Sequence, residues 1–248
     1  GFILLKIIHA TLNSNPAWLV FIGFSEILTN IIKQVATMFC LPQKNHHLTP
    51  FSPIVSKDDD SENNAIENYE DKISSYIEDL DKEYIAELLL GISTDTLDLE
   101  GKIISTKDVD IDRDIIIKAV NSFKGTYLQE VPKYSAVKVN GKKLYEYARK
   151  NIPVDLPKKE VTIDEIEIID DIVYDVGQVH FTIKCKVSKG TYIRSLVRDI
   201  GIKLGVPSVM SSLVRTKLGQ FNIEDAFNLD DIKKGNYKLL NVMDAFPD

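Results

Sequence analysis

The chain has 248 residues and a mass of 28.0 kDa, enough for one large domain or a domain with an appendage. Hydrophobic residues make up 44% and charged residues 27%, which excludes a wholly disordered chain. The 30 Lys and Arg against 37 Asp and Glu give a net charge of -7, which argues against coating nucleic acid by bulk charge but leaves room for a local basic groove.

Charge is unevenly spread. Residues 1–80 hold five Lys, no Arg and ten acids, so most of the acidic excess belongs to the first third. The segment 1–41 is apolar and reads as two amphipathic helices, around Pro16–Thr29 and Ile31–Phe39. Asn13, Ser14, Asn15 and Pro16 interrupt its longest uncharged run, which argues against a transmembrane span or a signal peptide. Residues 42–79 read as an acidic linker: Pro42, Pro50 and Pro53 break structure, and Asp58-Asp59-Asp60 with Glu62 is a solvated run. His46 and His47 stand there without a carboxylate or Cys at metal spacing, so no metal site is expected. Cys40 and Cys185 form no CxxC pair. Such sparse cysteine use fits a reducing, cytoplasmic setting.

From Lys82 the patterning tightens. Tyr84–Leu90 reads as a strand ended by Gly91, Asp98–Gly101 as a turn, and Lys102–Ile104 as a short strand. Asp112–Phe123 has helical spacing. Tyr134–Val139 is expected to be a strand, with Asn140-Gly141 as a hairpin or turn and Leu144–Lys150 as a short helix. Val161–Ile169 alternates imperfectly, as a strand with a register shift would. Val179–Val187 alternates cleanly and predicts one buried and one wet face. Thr191–Leu204 is expected to be a helix ended by Gly205.

Two windows are basic within this acidic protein. Lys124–Arg149 carries six basic residues against Glu130 and Glu146, and Thr182–Gly219 carries eight against Asp199. Both suggest a surface that meets phosphates. The first window interleaves Tyr127, Tyr134, Tyr145 and Tyr147, which can stack on bases. In the second, Gly190-Thr191-Tyr192-Ile193-Arg194-Ser195-Leu196 follows a strand and opens a helix, where free N–H groups meet anions. Arg194 lies one turn in and can face the same place.

These segments resemble the bacterial TruB-type tRNA pseudouridine synthases. The resemblance rests on Lys82–Leu88, Leu90–Gly101, Pro132–Arg149, Ser188–Leu196 and Leu213–Phe221 in that order, and covers residues 80–248. It implies an α/β (α+β) fold, a mixed, largely antiparallel sheet flanked by helices, incomplete at its N-terminal side. It implies isomerisation of the T-loop uridine of tRNA to pseudouridine by a cytoplasmic monomer, with the tRNA T-arm as partner and no metal, organic cofactor or membrane. By motif, Tyr84 takes the role of the tyrosine that contacts the flipped uracil, and Arg194 that of the arginine that pairs with a catalytic aspartate. Leu213 would wall the base pocket, and Lys138, Tyr134, Lys189, Tyr192 and Arg215 would bind the substrate.

The family's nucleophilic aspartate stands in a Gly-Thr-Leu-Asp-Pro context upstream of the tyrosine motif. Residues 1–79 contain no such context, so no nucleophile is assigned. Asp98, in Thr96-Leu97-Asp98, follows Tyr84 and is assigned to a turn. No small C-terminal RNA-binding domain is expected after the catalytic part. The alternative reading is a TruB-like module that binds RNA without catalysis.

Overall fold

The computed structural model describes residues 79–238. The helices and most of the linker expected before residue 79 lie outside the described residues. The chain divides into two compact units, Leu80–Leu218 and a second made of Gly1–Asp79 with Gly219–Asp248. In the first unit the elements run β1 (Lys82–Leu90), β2 (Ile92–Thr94), β3 (Ile103–Thr106), α1 (Arg113–Asn121), β4 (Gly125–Glu130), β5 (Lys138–Val139), β6 (Lys142–Lys143) and α2 (Leu144–Arg149). They continue with β7 (Lys158–Ile168), β8 (Val173–Asp175), β9 (Gln178–Val187), α3 (Ile193–Leu204) and β10 (Ser208–Leu218). The described part of the second unit holds β11 (Phe221–Asn222), a 3-10 turn (Ile223–Asp225) and α4 (Leu229–Lys233), whose cap Asn228 accepts from the Asp231 N–H at 2.8 Å.

The main sheet of the first unit has the order β10-β1-β9-β7-β4, with β8 paired to β9. Every pairing is antiparallel. This is the mixed α/β, largely antiparallel architecture that the family resemblance implies. Its inner face is built by alternation: Tyr84, Ala86, Leu88 and Leu90 from β1 beside Val179, Phe181, Ile183, Cys185 and Val187 from β9. Onto that face α1 lays Ile116 and Val120, and α3 lays Ile193, Leu196, Val197 and Ile200. Each such large apolar side chain taken out of water contributes roughly 1.5–3 kcal/mol, before chain entropy is charged against it.

The wet face of the sheet is laced with charge. Glu83 meets Lys184 at 3.2 Å, Glu87 accepts from Ser211 Oγ at 2.8 Å, and Lys186 faces Asp81 at 3.7 Å. Exposed pairs of this kind are worth about 0–1 kcal/mol each, so this face sets solubility and register more than stability.

The register shift expected in Val161–Ile169 is present, between Ile163 and Glu165. The end of α3 is also as expected: Gly205 adopts φ 71°, which a side chain would strain, and its N–H returns to the Ile202 carbonyl. One expectation needs correction. Of Tyr134–Val139 only Lys138–Val139 is strand. The carbonyls of Tyr134, Ser135 and Val137 are spent on Arg194, Tyr145 and Leu144, so no ladder can form there. Besides the short β2, β8 and β11, the longer strands β4 and β10 do not show in their side-chain pattern.

Candidate active site

The loop after β2 is closed on itself. Thr94 Oγ1 donates to the Asp98 carbonyl at 2.6 Å, and the Leu97 and Gly101 N–H groups donate to the Thr94 and Asp98 carbonyls. Asp95 Oδ1 accepts from the Lys102 N–H at 2.8 Å. Gly101 is needed for this closure, because a Cβ there would sit 2.9 Å from the Thr96 backbone nitrogen. Leu97 takes φ 67°, a left-handed conformation that costs a non-glycine residue about 1–2 kcal/mol. The Met210 N–H of β10 donates to the Leu97 carbonyl and docks the loop on the sheet.

Into this loop reaches Arg194, from the first turn of α3. Its Nη1 donates to the Thr96 carbonyl at 2.9 Å and to Asp98 Oδ2 at 3.0 Å. Its Nη2 donates to the Tyr134 carbonyl at 3.0 Å. The guanidinium thus joins three segments far apart in sequence, with both ionic side chains mostly shielded from water. Asp98 does act in the turn, as its sequence context predicts: Oδ1 accepts from Thr96 Oγ1 at 2.5 Å and from the Glu100 N–H at 3.3 Å. Its second oxygen is the ion-pair partner of Arg194. A carboxylate engaged on both oxygens is held in place and is not free to attack. Asp199, the acid nearest Arg194 in sequence, is instead held by Arg198 at 2.8 Å.

Tyr84 and Leu213 come together on neighbouring strands. In the β1–β10 register Tyr84 lies opposite Arg215, and Ala86 opposite Leu213. A register shift between Glu83 and Tyr84 marks a bulge, which re-aims the tyrosine relative to its strand. Tyr84 is 8% exposed. Its hydroxyl accepts from Arg215 Nε at 3.1 Å, and the guanidinium carbon stands 5.4 Å from the ring centroid. Leu213 packs at the edge of the same core. Cys185 lies opposite Tyr84 on β9, but burial and then the Glu83 charge push its thiol up to about 12, which removes it as a nucleophile near neutral pH.

The remaining expected residues divide. Tyr134 belongs with Arg194 through its carbonyl, and its hydroxyl lies 3.5 Å from Asp95 Oδ2. Burial, then the Asp95 charge, raises that hydroxyl above its ordinary value. Tyr192 caps α3, and burial raises its hydroxyl while the Arg194 charge opposes the shift. Lys189 is exposed in the turn before α3. Lys138 stands apart, on a β5–β6 hairpin whose Asn140 and Gly141 take φ 51° and 79°. Across that hairpin Lys138 faces Lys143, a like-charge pairing that disfavours the free hairpin and favours an anion. Tyr145, expected as a stacking platform, already carries Lys143 and Arg149 over its ring, at 5.6 and 5.1 Å.

Tyr127, expected as a stacking ring, instead packs against the core with its hydroxyl between Gln129 and Asp199, and sequence reading missed Gln129 and Arg198, which with Glu130 join β4 to α3. The signal was a glutamine at the inward position of a short strand, between Tyr127 and Val131. Among the described residues no cluster of His, Cys, Asp and Glu could hold a metal ion, and no helix is long and apolar enough to cross a membrane.

Comparison with known proteins gives two family matches. Residues 66–193, more than half of the chain, match the TruB family pseudouridylate synthase N-terminal domain. Residues 194–243 match the tRNA pseudouridylate synthase B C-terminal domain. The seam falls between Ile193 and Arg194, and the first match begins ahead of residue 80, where the motifs set the boundary. The chain is 46% identical over 166 residues to tRNA pseudouridine synthase B of Bacillus subtilis, covering 65% of this chain and 53% of that protein. It is 47% identical over 172 residues to the same-named protein of Caldanaerobacter subterraneus, covering 69% and 59%. The chain thus spans little more than half the length of these relatives. A crystal structure of a Cbf5-Nop10-Gar1 complex aligns at a TM-score of 0.43 and 25% identity, over 66% of this chain and 38% of that one.

Proposed function

The chain belongs to the TruB family of pseudouridylate synthases, and from that membership we propose that it isomerises a uridine of tRNA to pseudouridine, at the T loop. The observation that carries the reading is the Arg194 fork. A guanidinium fixed by Thr96, Asp98 and Tyr134, and mostly shielded from water, is a preorganised cation of the kind that orients a catalytic carboxylate. Tyr84 and Leu213 supply an aromatic ring and an apolar wall on adjacent strands, the surfaces a flipped base needs. Arg215 holds the Tyr84 hydroxyl and fixes the ring's tilt.

In this reading the bond from ribose to uracil N1 breaks, the base turns within the pocket, C5 bonds to the ribose and loses its proton, and N1 takes one up. A carboxylate does the covalent work. The basic β5–β6 hairpin, Lys189 and Arg215 hold phosphates of the T-arm. A second reading has its own observation: residues 1–79 carry no Gly-Thr-Leu-Asp-Pro context, and Asp98 is committed to Arg194 and its turn. That favours an RNA-binding module without turnover. Incubating the purified chain with unmodified tRNA and measuring pseudouridine separates the two. Product formed at many turnovers per chain supports the isomerase; binding with no product supports the module.

A further inference from the structure

We propose that Gln129 is a positioning residue for Arg194, setting through its buried amide the angle at which α3 leaves Tyr192. The proposal rests on the reading of Arg194 as a site residue. Gln129 is 1% exposed, on the inward face of β4. Its Oε1 accepts from the Tyr192 N–H at 2.8 Å, and its Nε2 donates to the Tyr127 hydroxyl at 2.7 Å. The amide orientation is fixed chemically. A backbone N–H can only donate, so the atom facing it must be the oxygen. The Tyr127 hydroxyl then donates onward to Asp199 Oδ2 at 3.3 Å.

The same strand end grips the helix twice more. The Glu130 carbonyl accepts from Ser195 Oγ at 2.8 Å and from Arg198 Nη2 at 3.2 Å. Tyr192, Ser195 and Arg198 span the first two turns of α3, with Arg194 between them. Helix starts are commonly tied by a Ser, Thr, Asp or Asn side chain at the cap. Tyr192 is the cap here, and its side chain accepts no bond from the helix. The entry of α3 is therefore tied from outside, and Gln129 ties the cap residue itself. Arg194 needs that precision: three bonds of 2.9–3.0 Å to three segments tolerate little rotation of the turn that carries it.

The test uses the full chain and reads the guanidinium N–H signals of its arginines by NMR, with Arg194 assigned through Arg194→Lys. Wild type should show resolved, slowly exchanging Arg194 Nη signals. In Gln129→Met, which keeps the length and loses the amide, those signals should collapse to an exchange average while the Arg215 signals stay unchanged. Unchanged Arg194 signals in Gln129→Met would overturn the proposal. If that variant does not fold, Gln129→Asn answers: it keeps the amide but withdraws its oxygen from the Tyr192 N–H by one methylene. Arg194 signals that broaden or vanish in Gln129→Asn while Arg215 holds support the proposal. Signals that persist, or that vanish for all arginines together, overturn it. Pseudouridine formation is measured in parallel; its absence in wild type counts against the proposed function alone, because the NMR signals do not depend on turnover.

Discussion

Two basic regions of this chain use their charge in opposite ways. Arg194 is shielded and forked: each of its three partners is a fixed oxygen of the fold. The β5–β6 hairpin carries Lys138 and Lys142 into solvent, with Lys138 facing Lys143 across the ladder. The first is geometry, only weakly sensitive to salt because it is mostly shielded and short-range. The second is a field, which waits for an outside anion and is screened by salt. Removing charge should therefore have opposite consequences for stability in the two places.

The largest effect is expected at Arg194. Arg194→Ala strips partners from Asp98, Thr96 and Tyr134 at once, leaving a mostly shielded carboxylate uncompensated. Breaking such a pair from one side costs about 3–5 kcal/mol when fully buried; with part of the pair still wet, about 2–3 kcal/mol is expected here. A urea midpoint unchanged from wild type would erase the contrast drawn above. Arg194→Lys should recover part of the loss, since an ammonium keeps the charge but not the fork.

A smaller effect is expected at Tyr84. Tyr84→Phe keeps the ring in the core and removes only the acceptor for Arg215 Nε. One hydrogen bond to a charged donor is worth about 1.5–3 kcal/mol when dry, and Arg215 can turn to water, so about 1 kcal/mol of stability is expected to go. Under the proposed function, turnover should fall more than tRNA affinity does. An equal fall in both would move Tyr84 from the base to general binding.

How much of this was legible in sequence follows from the range of the interactions. Val179–Val187 shows its buried face by alternation, and Gly205 marks the helix end, because both are local. The Asn140-Gly141 turn is local too. By contrast β4 reads poorly: Gly125 opens it, and its inward positions hold Tyr127 and Gln129, a polar pair that only α3 can satisfy. β10 is masked by Ser208, Ser211 and Ser212. Tyr134–Val139 has strand composition, yet its carbonyls are claimed from elsewhere. Asp98 was legible as a turn residue, but its second oxygen meets Arg194 across 96 residues, and no pattern around either one announces that. The family motifs brought Tyr84, Leu213 and Arg194 into one list. They said nothing of Gln129, whose role is visible only once β4 lies against α3.

The smallest effect, and the one with the opposite sign, belongs to the hairpin. Lys138→Ala removes one member of the Lys138–Lys143 pairing and touches no core residue. Relief of a like-charge contact should raise stability by a few tenths of a kcal/mol at low salt, of order 0.2–0.5, and by nothing measurable at high salt. Under the proposed function, affinity for tRNA should move the other way. Each lost phosphate contact flattens the slope of log K against log salt by about 0.7–0.9, so Lys138→Ala and Lys142→Ala together should flatten it by up to about twice that. Filter binding between low and moderate salt, beside urea melts of the same proteins, measures both. A double variant that melts earlier than wild type, or whose salt slope is unchanged, would mean that the hairpin is held by its lysines in the way the Arg194 loop is held by its arginine, and the contrast between geometry and field would fail.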